Sequence, residues 1–510
     1  MEPIMEVLPG RMMTAGSSTT TTSVEEDISW DDWSPEINWN QVSTNPDYVF
    51  HNLTPHPADT TTNDAFPLAD AFGTQGWACN TSSATNSITS ASTPTDEPIS
   101  ASAPAVGDSM AFRLFHLLAA VAEALSIDKK NRDLARVILI RLRELASPTG
   151  TTDIERLAFH FTNALQSLLD SATSTPRGNN PHLLPSQDHY PPSDVTTAFQ
   201  LLQNMSPYFS FGHLTANQAI LEEISGERVL HVIDYNISEG VQWASLIQAI
   251  SSAATGSSPP PHLKITAVAN VSRRSASVAH ETGRRLAAFA ASLGQPFSFR
   301  ICRLDHDRRF RPAAVKVNKG EAIFFNCILQ PAQLDHCSAA SVGSFLAGAA
   351  KMGARLVTLI EEVRGDVCAA GEHGGGFVGT FIDELERYVV FCESLVAGFP
   401  KQGRVREMVE RMILAPRIAG AVRRAYGLHA GSDSVTEGIT ERMPAAGFDW
   451  VPLSFFNLSQ ARLLVGLFHD GFHIEEDAPN KVVLRWKSRR LLSASVWGVR
   501  RRGRCHGTVE

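Results

Sequence analysis

Asp234 and the short loop that follows it are the first candidates for chemistry in this sequence. Residues 229–233 form a mostly apolar run rich in β-branched residues, which is typical of a strand buried on both faces. In α/β folds, ligands bind at the carboxyl ends of such strands, where Asp234 stands. A cofactor loop at this place needs several glycines, but residues 235–240 contain only Gly240, together with the acidic Glu239. We therefore expect no cofactor at this loop.

Other catalytic and metal-binding patterns are weak. The chain has neither a GxxxxGK[ST] phosphate loop nor a GxSxG nucleophile elbow. His469 and His473 have the spacing of metal ligands, but no further His, Cys or carboxylate pattern accompanies them. His231 lies inside the predicted strand, where a hydrogen-bonded core histidine is more common than a catalytic base. The residues thus predict no catalytic site and no metal site, and a protein that is not an enzyme.

Positive charge is concentrated between residues 300 and 319. This segment contains seven basic residues, namely Arg300, Arg303, Arg308, Arg309, Arg311, Lys316 and Lys319. Clustered Arg and Lys side chains attract phosphate groups in a salt-dependent way or serve as a nuclear import signal, although solvated loops and helix faces have the same composition. Because no helix-turn-helix or zinc-finger spacing indicates base reading, direct DNA binding by this segment remains an alternative.

Charge divides the chain into an acidic N-terminal part and a mildly basic remainder. Residues 1–110 contain fifteen acidic residues and one basic residue, within sequence that is rich in Ser and Thr. Such a composition cannot bury enough apolar surface to fold, so residues 1–109 are predicted to be a disordered acidic tail. Trp30, Trp33 and Trp39 lie among its acids and resemble an activation segment that binds the transcriptional machinery, or they are incidental to a solvated tail.

The cellular setting follows from the cysteines and from hydropathy. Seven scattered cysteines without paired spacing, and a start without a signal peptide, indicate a reducing compartment. The most apolar early stretch, residues 111–125, contains charged side chains, so we expect no membrane insertion.

Leucine-rich helices and then alternating strands and helices must position these residues. Apolar residues three or four apart predict amphipathic helices between residues 110 and 172, and Thr152 with Glu155 forms a capping box. Strands are predicted at 263–269, 297–301, 321–326 and 355–361, with helices between them, which indicates a mostly parallel α/β sheet. Helices at 377–397 and 405–426 and a β-rich end around a helix at 459–468 complete the chain.

Motifs in this order resemble the GRAS family of plant transcriptional regulators. His231, Val232, Ile233 and Asp234 match the family's VHIID block, and Gln242 and Trp243 follow it. Trp486 and Trp497 lie in matching carboxyl-terminal motifs, LRWK and SASVW. The resemblance covers residues 110–498 and divides them into a first leucine-rich region (110–172), the VHIID-type block (204–250), a second leucine-rich region (275–300), a PFYRE-like block (321–426) and a SAW block (440–498). A basic C-terminal tail (499–510) follows.

The resemblance implies a Rossmann-like, methyltransferase-like sheet under an α-helical cap, and a regulator in the nucleus. It also implies that the chain assembles with another GRAS protein, as a heterodimer or a homodimer. Such a complex would contact promoter DNA mainly through the partner. Residues 281–299 and 456–468, and the tryptophan-bearing acidic leader, resemble the nodulation branch of the family. This resemblance implies action on nodulation, mycorrhizal and strigolactone-biosynthesis genes downstream of calcium signalling. A residual methyltransferase-like enzyme with Asp234 at its cofactor is a further alternative.

The leucine-rich helices are the predicted partner interface. Its residues are Leu114, Leu117, Leu118, Val121, Leu125, Leu134 and Ile138. If these helices bind a partner, we expect Leu114, Leu118, Val121 and Leu125 to form one exposed apolar strip. The same spacing is also what a core-facing helix shows.

Overall fold

The computed structural model describes residues 106–126, 131–173, 192–253, 259–270, 273–329, 338–363, 376–398, 403–429 and 439–500. The predictions for the acidic tail with its tryptophans and for the basic C-terminal tail fall almost entirely outside these residues. At their margins the structure differs from the expected boundaries. Helix α1 (Val106–Ser126) begins within the predicted tail, and strand β9 continues to Val499.

The described residues form one nine-stranded sheet with the order β3-β2-β1-β4-β5-β9-β8-β7, with β6 beside β9. Its strands are β1 (Val229–Asp234), β2 (His262–Ala269), β3 (Phe297–Arg303), β4 (Ala322–Leu329), β5 (Leu356–Glu362), β6 (Phe448–Trp450), β7 (Phe472–Ala478), β8 (Lys481–Trp486) and β9 (Arg489–Val499). Strands β3, β2, β1, β4 and β5 are parallel to one another. Strand β9 pairs antiparallel with β5, β6 and β8, and β7 pairs antiparallel with β8. The predicted Rossmann-like sheet is therefore confirmed.

Two apolar layers cover the sheet because successive side chains of a strand point to opposite faces. On the face of Val232, the covering helices are α5 (Pro207–Glu222), α6 (Val241–Ala253), α7 (Arg273–Ser292) and α13 (Phe455–Val465). On the face of Ile233, helix α8 (Ala339–Met352) packs over the strands together with a short 3₁₀ turn at Pro312–Ala314. Strand β1 lies between β2 and β4 and is buried from Leu230 to Asp234.

The predicted helical cap is also present. It consists of α1, α2 (Arg132–Leu145), α3 (Asp153–Thr173), α4 (Pro192–Met205), α9 (Phe377–Gly398), α10 (Gly403–Val409) and α11 (Ala415–His429). The short α12 (Ile439–Arg442) packs instead on the sheet face of Ile233. The buried side chains of the cap and of one sheet face belong to the same apolar cluster. The capping box at the start of α3 is confirmed, since the amide of Glu155 donates to Thr152 Oγ1 at 3.2 Å and that of Thr152 to Glu155 Oε2 at 3.4 Å.

The single helix predicted at 405–426 is wrong in detail. The structure has a π-helical turn at Glu410–Leu414 between α10 and α11, in which the amide of Ala415 donates to the carbonyl of Glu410. Pro416 explains this wider turn, because a proline lacks the N–H and clashes with the carbonyl four residues earlier. The turn keeps the segment helical and leaves the Glu410 side chain buried.

Candidate functional site

The carboxyl end of β1 carries a buried carboxylate that is bonded to its own protein. Asp234 is fully buried, and its side chain accepts hydrogen bonds from Trp243 Nε1 at 2.8 Å and from Asn326 Nδ2 at 3.0 Å. Burial raises the pKa of Asp234 to about 6, although these hydrogen bonds oppose the shift. The indole and the amide each bind one of the two carboxylate oxygens, so Asp234 makes these hydrogen bonds within the protein.

Side-chain amides extend this contact into a buried network. Gln242 Nε2 donates to Asn217 Oδ1 at 3.2 Å, and Asn326 Nδ2 donates to Gln242 Oε1 at 3.1 Å. Thr358 Oγ1 donates to Asn326 Oδ1 at 2.7 Å. We name Asn217, Asp234, Gln242, Trp243 and Asn326 the amide network. It joins helices α5 and α6 to strands β1, β4 and β5, so the motif residues Asp234, Gln242 and Trp243 hold the sheet and its covering helices together.

The loop after Asp234 leaves little room for a ligand. The cleft beside residues 236–242 has a volume of about 20 Å³, which is enough for about one water molecule. Gly240 has a φ of +77°, and a Cβ there would lie 2.6 Å from Thr282 Cγ2. This glycine therefore serves close packing against α7. This cleft does not fit a nucleotide-sized cofactor, which argues against a methyltransferase-like role for Asp234.

His231 is a hydrogen-bonded core residue, as predicted. Its Nδ1 lies 2.7 Å from Glu321 Oε2 and its Nε2 lies 2.8 Å from Thr266 Oγ1. Lys264 Nζ is 3.1 Å from the same Glu321 carboxylate. Burial and the neighbouring Lys264 charge lower the pKa of His231 to about 4, so the ring is neutral at pH 7. The arrangement ties β1 to β2 and to the start of β4.

This pKa shift predicts a pH dependence of stability. As the pH falls below 6.5, the unfolded state binds a proton at His231, whereas the folded state does so only near pH 4. The associated stability is complete above pH 6.5 and is lost between pH 6.5 and 4. Within that window, His231→Gln should reduce the slope of unfolding free energy against pH by about 1.4 kcal/mol per pH unit. Urea unfolding at a series of pH values measures it, and identical slopes would contradict the neutral buried histidine.

The carboxyl-terminal motif tryptophans are also core residues. Trp486 is 2% exposed and packs on Phe472, with ring centroids 4.7 Å apart. Trp497 Nε1 donates to Ser495 Oγ at 2.9 Å. The His469 ring packs against Trp486 at a tilt of 51°. The described ranges contain no group of three or more His, Cys, Asp or Glu side chains placed to hold a metal ion. In the same ranges, no helix is long and apolar enough to cross a bilayer.

The expectation of an exposed strip on α1 is wrong. Leu114, Leu118, Val121 and Leu125 are at most 8% exposed, because α1 packs against α2, α3 and α9. Leu117 and Ile138 are partly buried against the same core. Of the seven predicted interface residues, Leu134 is the one that is mainly exposed, at 54%.

An apolar surface does exist on the neighbouring helix. Leu134, Val137 and Ile140 of α2 are 54%, 64% and 59% exposed, while Leu139 and Leu142 of the same helix are buried. We name these three exposed residues the α2 outer face. Three large apolar side chains on one helix exceed the scattered exposure that is normal for a surface. The sequence signal was available, since residues 137–140 place apolar side chains all around the helix.

The seven basic residues lie on strand β3 and on the loop that leads from β3 to β4. All seven are exposed, with Arg300 and Arg303 on the edge strand β3 and the others on the loop between β3 and β4. Ser344 Oγ accepts a hydrogen bond from the amide of Phe310 at 2.8 Å, and Lys264 Nζ donates to the carbonyl of Lys316 at 2.5 Å. These bonds fasten the loop over the face of α8. We name the seven residues the basic edge.

The structure contains a buried ion cluster between the cap and the sheet that the sequence did not predict. Glu362, at the end of β5, accepts a hydrogen bond from Tyr208 Oη at 2.8 Å and pairs with Arg387 of α9 and Arg417 of α11. The Arg417 side chain is 1% exposed and lies over the ring of Phe209, 5.3 Å from its centroid. A second buried pair joins Arg156 of α3 to Glu410 of the π-helical turn at 3.1 Å.

Comparison with known proteins agrees with the fold and the motifs. The model of the GRAS domain family matches residues 114–498. A relative from Lotus japonicus named Protein NODULATION SIGNALING PATHWAY 2 is 45% identical over 491 residues, which is 95% of this chain and 96% of that protein. Its namesake from Medicago truncatula is 46% identical over 498 residues, covering 94% and 95% of the two chains.

A solved structure and a further relative extend the comparison. Scarecrow-like protein 26 of Arabidopsis thaliana is 44% identical over 399 residues, which is 77% of this chain and 79% of that protein. The crystal structure of SCL7 from Oryza sativa is 28% identical with a TM-score of 0.57 and covers 78% of this chain and 100% of the crystallised one. The sequence motifs, the sheet order and these matches lead to one conclusion: the chain belongs to the GRAS domain family.

Proposed function

We propose that this chain is a non-enzymatic transcriptional regulator in the plant nucleus, which acts on promoters together with a second GRAS protein. The α2 outer face carries the proposal, because it is an exposed apolar surface on the leucine-rich part of the cap. The cleft of about 20 Å³ beside residues 236–242 supports the non-enzymatic part, since a nucleotide-sized cofactor does not fit there. Promoter DNA is contacted mainly through the partner, and Trp30, Trp33 and Trp39 contact the transcriptional machinery.

The biological setting follows from the relatives. The two proteins that share 45% and 46% identity over nearly the whole chain are named for nodulation signalling. These names support a role in nodulation signalling. Action on mycorrhizal and strigolactone-biosynthesis genes, downstream of calcium signalling, stays a prediction from the family resemblance.

Partner binding through the α2 outer face is tested by substitution in the full chain. The triple variant Leu134→Ser, Val137→Ser, Ile140→Ser should bind a second GRAS protein at least about tenfold more weakly, because burying apolar area on association contributes about 25 cal/mol per Å². Biolayer interferometry with immobilised partner measures the Kd. Val278→Ser, at a residue that is 48% exposed on α7, is the matched control and should bind normally. An unchanged Kd for a folded triple variant would overturn the α2 outer face as the interface.

The second candidate is direct DNA binding by the basic edge. Its seven exposed Arg and Lys side chains favour it, since such residues attract DNA phosphates. The two candidates differ in one result, which is whether the chain binds a duplex without a partner.

A further inference from the structure

We propose that the open edge of strand β3 binds an extended acidic segment of a partner protein as an additional β-strand. This surface belongs to the sheet, whereas the α2 outer face belongs to the cap, and it takes a different kind of ligand. It therefore goes beyond the proposed GRAS–GRAS assembly.

The backbone of β3 offers hydrogen-bonding groups on the side away from β2, where no described strand pairs with it. Strand β3 pairs with β2 alone among the described strands. The amide of Leu263 donates to the carbonyl of Pro296 at 2.9 Å, and the amide of Leu304 donates to that of Ala269 at 3.0 Å. In a parallel ladder the N–H and C=O of one residue point to the same side, so the even-numbered residues of β3 face β2. Phe297, Phe299, Ile301 and Arg303 therefore direct their N–H and C=O groups to the open edge.

The side chains beside this edge define the chemistry of the added strand. Phe297, Phe299 and Ile301 are partly exposed on the face of α7, whereas Arg300 is exposed on the other face. An incoming strand would place alternate side chains on these two faces. Acidic residues would meet Arg300 and the loop of the basic edge, and apolar residues would meet the aromatic face. The fitting ligand is an extended segment that alternates acidic and apolar residues.

Charge and backbone geometry together favour a peptide over DNA. Residues 300–319 carry seven basic side chains against the two acids Asp305 and Asp307, which attracts any polyanion. Duplex phosphates only accept hydrogen bonds, whereas the open edge presents donors and acceptors in alternation. A second backbone satisfies both kinds of group, as in β-strand addition. Charged residues on an edge strand also disfavour unwanted strand pairing. Because the charged residues of β3 are both positive, they repel basic segments and attract acidic ones.

The probe is a fluorescein-labelled decapeptide of alternating Glu and Val, titrated with the full chain in fluorescence anisotropy. Two further peptides carry N-methyl groups on all Glu amides or on all Val amides. Because only one of the two sets of amides faces β3, one methylated peptide should bind at least about tenfold more weakly, while the other stays within about twofold of the parent. Equal binding by all three peptides, or no binding by the parent, would overturn strand addition.

Protein variants test the same surface from the other side. The double variant Arg300→Glu, Arg303→Glu should weaken parent-peptide binding at least about tenfold, and Arg404→Glu at an exposed site on α10 is the charge control. Peptide binding should also slow amide hydrogen exchange at Phe299 and Ile301. If a labelled duplex binds this edge and the parent peptide does not, the basic edge is a nucleic-acid surface and the proposal fails. The two N-methylated peptides test strand addition on the unaltered chain, so this test does not depend on the folding of the double variant.

Discussion

Replacement of Glu362 by alanine should lower the free energy of unfolding by about 3–5 kcal/mol, the cost of breaking a buried ion pair by removing one partner. The Glu362 side chain is 2% exposed, and its carboxylate is shared by Arg387, Arg417 and the hydroxyl of Tyr208. Without it, two guanidinium groups lose a common counter-charge in a site from which water is largely excluded. Because these groups come from α9, α11 and α5, the loss loosens the cap from the end of β5.

Urea-induced unfolding of the full chain measures this effect. Glu393→Ala is the matched control, since Glu393 pairs with Lys487 while 37% exposed, and exposed pairs contribute about 0–1 kcal/mol. Glu362→Gln keeps an acceptor for Tyr208 and should lie between the two. A loss below about 1 kcal/mol for Glu362→Ala would show that the cluster does not stabilise the cap on the sheet.

Replacement of Trp243 by alanine is the second large expected effect, at about 3–5 kcal/mol of unfolding free energy. The Trp243 side chain is 1% exposed in the apolar core between α6 and the sheet. Its removal leaves a cavity, and it also takes from Asp234 the hydrogen bond at 2.8 Å. Burial already raises the pKa of Asp234, so the carboxylate then loses one of the groups that offset its desolvation.

Two variants separate packing from hydrogen bonding at this site. Trp243→Phe keeps most of the ring volume and removes the donor, so we expect a loss of about 1–3 kcal/mol. Trp450→Ala, at a tryptophan that is 58% exposed on β6, should change stability by less than about 0.5 kcal/mol. Thermal and urea unfolding measure all three. Equal stability of Trp243→Ala and Trp450→Ala would contradict a structural role for the amide network.

The sheet was predictable from the sequence, but the burial of the apolar face of α1 was not. The β-branched run of β1 and the strand–helix alternation after it have a local periodicity that depends only on neighbouring residues. Periodicity also shows that Leu114, Leu118, Val121 and Leu125 share one face of α1. It does not show what covers that face, and the cover includes α9, which begins at Phe377. Periodicity therefore leaves both an interface and a core position open for this face, and the structure shows that it is core.

The buried ion clusters could not be predicted either, because their partners are distant from one another in the sequence. Glu362 and Arg417 lie 55 residues apart, and neither has a local pattern that distinguishes it from a surface charge. The π-helical turn is different, since Pro416 is visible in the sequence and predicts an interruption of the helix. The basic edge was recognised from composition, but its position beside an open strand edge required the sheet order.

Fluorescence anisotropy of a labelled promoter duplex from a strigolactone-biosynthesis gene tests the central claim most directly. The full chain is titrated first alone and then with a second GRAS protein, at several salt concentrations. We expect no specific binding by the chain alone and tight binding with the partner, which the triple variant of the α2 outer face should abolish. Tight binding by the chain alone, with affinity that falls steeply with salt and is lost when the basic edge is neutralised, would contradict the account and make this protein a direct DNA-binding factor.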